Sequence, residues 1–387
     1  MKYLPVEPRV LLTITLLMVH HAWAAPAHIW RGVDLSYVNE LEDCGARYRS
    51  GGRLMDPYQI LSGAGANLVR LRLWHDPDWT DYGTLADVKQ SIRRARNSGM
   101  QVLLDFHYSD DWAHPGKQLV PRAWSNATST VELAERLGHY TTEVLTDLLG
   151  EGLIPDYVQV GNETNTDLLL TEEVAEDAPV DWQRNAVLLN AGIRAVREFS
   201  AKAGVGPGIM LHIAQPENVQ PWFDDATNAG VVDFDLIGIS YYPKWSSTDF
   251  SRISSAVRNI RSRYGKDVVI VETAYPWTLD GADAANNILG QDSLVEGFPA
   301  SPQGQADFMT ALMDSVIRGG GLGVVYWEPA WISTSCTTRW GQGSHWDNAA
   351  LFNFPDAELL PGAGFLGHNW EHPDQPAPGK AAGNPGD

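Results

Sequence analysis

The chain has 387 residues, a formal net charge of −20 and 44% hydrophobic residues. Such acidity excludes the electrostatic grip on nucleic acid or anionic membranes that basic surfaces provide, and the apolar content suffices for a large core. Fifteen tryptophans and thirteen tyrosines supply core packing and flat faces suited to the apolar sides of pyranose rings.

Residues 1–24 read as a secretory signal: Lys2 and Arg9 are basic, residues 10–19 are apolar, and Ala22-Trp23-Ala24 is a small-x-small cleavage site. That apolar core is too short for a transmembrane helix. The expectation is an exported, soluble, monomeric protein with no membrane-spanning segment. Strands are predicted at 31–37, 67–73, 100–107, 156–162, 208–214, 234–241, 267–273 and 322–328. Between them, residues 85–98, 131–150, 182–203, 251–264 and 302–318 carry apolar residues at three- and four-residue steps, the helical period. Gly99, Gly152, Gly204 and Gly265 stand where helices end before the next strand. Eight strands alternating with helices predict one α/β domain over 25–370, a single (β/α)8 TIM barrel. Long loops at 109–126, 275–301 and 330–348 all follow strand C-termini, the catalytic face of that fold. The Pro/Gly-rich tail at 371–387 is expected to be disordered. Cys44 and Cys336 flank the first and last strands, neighbours on closure; pairing in an exported protein stays open at this stage.

Two strands finish on a glutamate, in Val158-Gln-Val-Gly-Asn-Glu163 and Val268-Val-Ile-Val-Glu272. Ending a buried strand on an unpaired carboxylate is costly, so the position asks for a chemical reason. Paired carboxylates on parallel strand ends meet the needs of a retaining glycosidase: one acid/base, one nucleophile. A general acid at Glu163 needs its pKa raised by burial and a neighbouring carboxylate; the bland alternative is a glutamate opening the next helix. A nucleophile at Glu272 must stay ionised, with Arg70 or Arg72 to hold it and Tyr241 or Tyr242 as donor. The bland alternative is a rim ion pair. Glu328 also ends a strand, but alternation should point it away from the barrel axis.

The chain resembles the endo-β-1,4-galactanases of glycoside hydrolase family 53, in a clan of retaining (β/α)8 glycosidases. The likeness runs from about Arg31 to Trp370. It rests on Gly32-Val-Asp-Leu-Ser36, Val69-Arg-Leu-Arg-Leu-Trp74, Leu104-Asp-Phe-His-Tyr-Ser-Asp-Asp-Trp112 with Pro115, Gly161-Asn-Glu163, Val271-Glu-Thr-Ala-Tyr-Pro276 and Tyr326-Trp-Glu-Pro-Ala-Trp331. The resemblance implies Glu163 as acid/base and Glu272 as nucleophile. It implies Asn162 on the sugar 2-hydroxyl, Arg70 supporting the nucleophile and Tyr241 beside it, and Trp327 flooring the subsite of the sugar being cleaved. Asp34, Asp105 and His107 are implied near the reacting sugar, with a buried polar network as the alternative. Trp112, Trp245 and Trp277 are candidate stacking platforms, with loop packing as the alternative. Some members hold calcium in the loop after strand seven or eight, where Asp280, Asp283, Asn286 and Asn287 offer hard oxygen ligands; the alternative is a solvated acidic loop. The chemistry itself requires no cofactor.

The expected activity is therefore that of a secreted arabinogalactan endo-β-1,4-galactanase, hydrolysing pectic galactan side chains or type I arabinogalactan with retention by double displacement. One rival is the same chemistry on another β-linked polysaccharide, mannan or glucan. The other is a non-catalytic carbohydrate-binding barrel, against which stands the presence of both glutamates and their supports.

Overall fold

The computed structural model describes residues 29–371 apart from 340 and 355. The leader at 1–24 and the tail beyond Glu371 lie outside the described residues. Eight parallel strands close a barrel among the described residues: β1 (Trp30–Asp34), β2 (Leu68–Leu73), β3 (Gln101–Phe106), β4 (Tyr157–Val160), β5 (Gly208–Ala214), β6 (Leu236–Ser240), β7 (Asp267–Thr273) and β8 (Gly323–Tyr326). Neighbours in sequence are neighbours in space, and β1 pairs with both β8 and β2 to complete the circle. This is the (β/α)8 barrel that the alternating pattern predicts.

Seven helices of eight residues or more connect the strands: α1 (Pro57–Ala64), α2 (Leu85–Asn97), α3 (Thr130–Gly150), α4 (Trp182–Ala203), α5 (Pro216–Asn228), α6 (Ile253–Tyr264) and α7 (Pro302–Arg318). Five of them are capped at the N-terminus by side chains that accept otherwise orphaned amide protons, at Asp56, Thr84, Ser129, Asp181 and Ser301. Two helices are absent from the sequence-based pattern. The α1 helix is only eight residues long, and α5 carries Pro221 in its interior, a residue that ordinarily signals a break. No helix among the described residues is long and apolar enough to cross a membrane.

The barrel interior is layered. Trp30, Leu68, Leu103, Met210, Leu236, Val269, Val271 and Val325 form a dry plug inside it. A far larger apolar cluster fills the space between strands and helices. Above the plug the inward positions turn polar: Asp34, Arg70, Asp105, Gln159, His212 and Ser240 are all buried. Registers across the sheet pair Asp34 with Arg70, Asp105 with Gln159 and Ser240 with Glu272, so the polar residues share one level near the strand C-termini.

One irregularity serves the site directly. Val269 and Val271 both pack in the plug, so strict alternation would send Glu272 outward. The β7 register shifts against both neighbours at this point: Ile239 pairs with Ile270 but Ser240 with Glu272, and Val324 pairs with Ile270 but Tyr326 with Thr273. The extra residue is a β-bulge, and it turns the Glu272 carboxyl into the barrel.

Cys44 and Cys336 are joined by a disulfide with Cα atoms 5.3 Å apart. It ties the short helix after β1 (Val38–Asp43) to the loop after β8.

Candidate active site

A cleft of about 690 Å³ opens at the C-terminal ends of the strands. Glu163 and Glu272 both line it, with Asn162, Tyr37, Trp112, Tyr242, Trp245, Trp327, Trp331 and Trp346. Strand ends here carry unusual backbone. Tyr108, Glu163, Gln215 and Glu328 follow β3, β4, β5 and β8 with φ of 49°, 46°, 65° and 46°. Left-handed conformation is costly for residues with a side chain, and its clustering at one rim marks a functional face. Gly161, at φ 84°, makes the turn before Glu163 possible: a Cβ there would stand 2.6 Å from Thr164 Cγ2.

Arg70 organises the floor. Its Nη1 lies 2.7 Å from Glu272 Oε1 and 3.0 Å from Asp34 Oδ2. Its Nη2 lies 2.8 Å from Asp105 Oδ2 and 2.6 Å from Asn162 Oδ1, and its Nε donates to Gln159 Oε1 at 3.1 Å. The planar fork therefore fixes the nucleophile candidate and the residue preceding the acid candidate from one side chain. Tyr242 Oη is 3.5 Å from Glu272 Oε2, and burial keeps that phenol protonated and a donor. Ser240 Oγ donates to Glu163 Oε1 at 2.5 Å.

Burial raises Glu163 to about 7 and Glu272 to about 8, and the charge of Glu163 adds to the rise at Glu272. The two groups titrate as a pair. Although burial lifts Glu272 further, the shared proton belongs on Glu163. Glu272 faces a guanidinium at 2.7 Å, a charge-assisted contact that favours the carboxylate, whereas the donor to Glu163 is a neutral hydroxyl. One carboxylate held ionised beside one protonated acid is the arrangement that glycoside cleavage uses.

Other expected site residues fall into two groups. Asn162, Trp112, Trp245 and Trp327 line the cleft. Trp327 packs against Trp346, Trp112 and Trp331 with ring centroids 4.7, 5.8 and 5.9 Å away, giving a continuous aromatic wall. Trp245 is 48% exposed at the cleft edge. Asp34, Asp105, His107 and Arg70 do not line the cleft; all are at most 2% exposed. His107 Nε2 meets Asp105 Oδ2 at 3.1 Å and its Nδ1 accepts from the Ala113 amide at 3.0 Å. For Asp34, Asp105 and His107 the buried polar network, not direct sugar contact, is thus what the structure shows, and Arg70 holds Glu272 from within that network.

Two aromatic expectations are also corrected. Tyr241 meets Glu272 only through its backbone amide, which donates to the Glu272 carbonyl at 2.9 Å, and its ring is buried in the outer core. Ser240 faces inward, so Tyr241 faces outward and Tyr242 returns to the site. Trp277 packs on Phe354 at 4.6 Å and donates its indole N–H to the Asp347 carbonyl, away from the cleft. Sequence reasoning passed over Gln159, His212 and Ser240. A polar residue inside the apolar runs Tyr157–Val160 and Gly208–Ala214 is the signal that would have found the first two. Glu328 likewise departs from expectation: β8 ends at Tyr326, and the left-handed backbone at Glu328 turns its carboxyl to within 3.8 Å of Arg72.

Among the described residues no group of three or more His, Cys, Asp or Glu side chains is arranged to hold a metal ion. Of the four calcium candidates, Asp280 is exposed and Asn286 gives only its carbonyl, to His345 Nδ1. Asp283 instead faces Asp347 through Ser333, whose Oγ lies 2.6 and 2.7 Å from the two carboxylates. One hydroxyl proton can serve only one of them. Asn287 Nδ2 donates to Asp347 at 2.8 Å, while its buried Oδ1 has no partner. The oxygen set fitting a hard cation is therefore Asp283, Asp347 and Asn287.

The family model for glycosyl hydrolase family 53 matches residues 30–364. Over 322 residues the chain is 51% identical to the arabinogalactan endo-beta-1,4-galactanase of Cellvibrio japonicus (strain Ueda107), covering 83% of this chain and 86% of that one. It is 34% identical over 366 residues to the endo-beta-1,4-galactanase of Bacillus subtilis (strain 168), covering 84% and 82%. The solved GH53 catalytic domain of Ignisphaera aggregans matches with a TM-score of 0.79 at 34% identity, over 89% of this chain and 96% of that one. The chain belongs to glycosyl hydrolase family 53.

Proposed function

We propose that this protein is an exported arabinogalactan endo-β-1,4-galactanase, acting on β-1,4-galactan with retention of configuration. The observation that carries the reading is the asymmetric pair: Glu272 held by Arg70 at 2.7 Å and Glu163 met by a neutral hydroxyl, in one aromatic-walled cleft. The substrate class follows the names of the relatives, among them the Cellvibrio galactanase at 51% identity.

In the first step Glu163 protonates the leaving glycosidic oxygen while Glu272 attacks the anomeric carbon, forming a glycosyl-enzyme. Water, deprotonated by the same Glu163, then releases the sugar from Glu272. Asn162 donates one Nδ2 proton to the Ala113 carbonyl at 2.8 Å, leaving the other for the sugar 2-hydroxyl. Trp327 and Trp112 offer ring faces to the bound sugars. A calcium ion would be held by Asp283, Asp347 and Asn287, which lie on the loops after β7 and β8, and would supply no step of the reaction. The leader directs export, and the protein acts as a monomer.

The test is sugar release from pectic galactan, mannan, xylan and carboxymethylcellulose by wild type and Glu272→Gln, with the product anomer followed by proton NMR. Release from galactan alone, as the β-anomer first and lost in the variant, is expected. Release from another polymer would replace the substrate. An α-anomer would overturn retention. No release from any polymer would leave a carbohydrate-binding barrel.

A further inference from the structure

Behind Glu163 runs a chain of hydrogen bonds that reaches into the barrel. Ser240 Oγ lies 2.5 Å from Glu163 Oε1, and His212 Nε2 lies 2.9 Å from Ser240 Oγ. All of Ser240 and His212 is buried. Burial also holds His212 well below its ordinary pKa, so the ring is neutral and carries one proton.

Which nitrogen carries that proton is decided by the other end of the ring. His212 Nδ1 faces the backbone N–H of Glu163 itself at 3.3 Å, a donor that cannot reverse, and the Gln159 amide nitrogen at 3.1 Å. Gln159 is in turn fixed: its Oε1 accepts from Arg70 and its Nε2 donates to Asp105 Oδ1 at 2.6 Å. The one acceptor near Nδ1, Asn162 Oδ1 at 3.0 Å, is already served by Arg70 Nη2 at 2.6 Å. Nδ1 is therefore an acceptor and Nε2 carries the proton. It follows that His212 donates to Ser240. A hydroxyl has one proton, so Ser240 must donate onward to Glu163 Oε1. Among the described residues, no protein donor reaches Oε2.

We propose that His212 and Ser240 are positioning residues for the acid/base: a one-way hydrogen-bond chain that occupies Oε1 of Glu163 and leaves Oε2 to carry the proton delivered to the leaving group. The opposite tautomer would make Ser240 donate to His212, and the proton of Glu163 would then be spent on Ser240. The chain starts at the amide of Glu163 and ends at its carboxyl, so the left-handed turn at that residue, φ 46°, sets both ends together. This inference rests on Glu163 being the acid of the reaction proposed above.

The experiment compares wild type, Ser240→Ala and Ser240→Thr, the last restoring a hydroxyl. For Ser240→Ala, kcat/KM on galactan is expected to fall about tenfold, with the alkaline limb of its pH profile moved up by about one unit, because the anionic form of Glu163 loses a donor. With an aryl galactoside whose leaving group needs no protonation, kcat/KM should stay within about twofold. Ser240→Thr should restore both values toward wild type. Equal losses on the two substrates would make Ser240 merely structural and overturn the proposal. A second reading does not depend on substrate: carbon-13 carboxyl NMR, with Glu163→Gln for assignment and circular dichroism to verify folding. There the Glu163 titration midpoint must rise in Ser240→Ala, and an unmoved midpoint rejects the chain. If wild type cleaves no galactan while the midpoint still moves, the substrate reading fails and the chain stands.

Discussion

Arg70 Nη1 lies 2.7 Å from Glu272 Oε1, and the other terminal nitrogen of the same guanidinium lies 2.6 Å from Asn162 Oδ1. One side chain thus sets the distance between β7 and the end of β4, the two elements that carry the reacting carboxyls. Asp34 and Asp105 hold the guanidinium from behind at 3.0 and 2.8 Å. Arg70→Lys keeps the charge but replaces a five-donor fork with a single centre that cannot reach all five partners, Gln159 included. The expected outcome is a fall in kcat/KM on galactan of about 10²-fold, the scale of an ångström's misplacement at a reacting centre, with a lowered Tm. Retained activity in Arg70→Lys would show that charge alone suffices.

The pH dependence follows from the raised carboxyls. The active pair carries one proton, and burial moves its loss to between about 7 and about 8. kcat/KM should therefore be flat through mildly acidic pH and fall as pH rises through that window. The same groups make stability pH-dependent. The folded protein keeps a proton that the unfolded chain releases near the ordinary glutamate value, so their stabilising contribution is present below about 4.5 and is lost as pH rises toward 8. Glu163→Gln should lose less Tm between pH 5 and 8 than wild type does. A profile that rises across the window would show that the active form carries no proton on the pair, against Glu163 acting as an acid.

Much of this was legible in the residues, and what was not had a physical reason. Glu163 and Glu272 stood out because a carboxylate ending a Val-rich strand needs a purpose. The bulge that aims Glu272 inward leaves no mark in Val-Ile-Val-Glu, since bulges are set by the register of both neighbours. Tyr241 and Tyr242 are adjacent, and only knowing that Ser240 points inward separates them. Trp277 looked like a platform because its partner, Phe354, lies far along the chain. Asp347 joined the oxygen cluster for the same reason: the loops after β7 and β8 meet only in space. The last strand, expected at 322–328, ends at Tyr326; the expectation runs long because the apolar character of Trp327 continues past the last paired residue.

The disulfide between Cys44 and Cys336 closes a loop of 292 residues of sequence separation. Cross-links of this kind stabilise by about 2–4 kcal/mol, chiefly by limiting the unfolded chain. The bridge also joins the two segments that carry Tyr37 and Trp331, whose rings pack with centroids 4.4 Å apart in the cleft lining. Cys44→Ser/Cys336→Ser should unfold at lower temperature than wild type under oxidising conditions and match it in reductant. KM on galactan should rise with kcat held, since the rim binds sugar and does no chemistry. Equal Tm values with and without reductant would deny the bridge a stabilising role.

Arg72 offers the sharpest contrast with Arg70, two residues away on β2. Its three guanidinium nitrogens are buried and none has a hydrogen-bond partner. The Tyr37, Trp74 and Trp112 rings close over it with centroids at 4.6, 4.1 and 4.2 Å, and the carboxyl of Glu328 stands 3.8 Å off. A cation in an aromatic cage is attracted by the ring faces, and at an effective dielectric near 20 the Glu328 pair adds about 4 kcal/mol of attraction against the cost of burying both charges. Removing one member leaves the other stranded, which costs about 3–5 kcal/mol, whereas removing both can be nearly neutral. Glu328→Gln should therefore destabilise strongly in chemical denaturation, and Arg72→Met less so, because burial already raises Glu328 well above the ordinary range and a proton can neutralise it. The double variant Arg72→Met/Glu328→Gln should recover most of the Glu328→Gln loss. It should still bind galactan more weakly than wild type, because Tyr37 and Trp112 line the cleft and lose the cation that holds them. Additive losses in the double variant would mean that the two charges do not act as a pair.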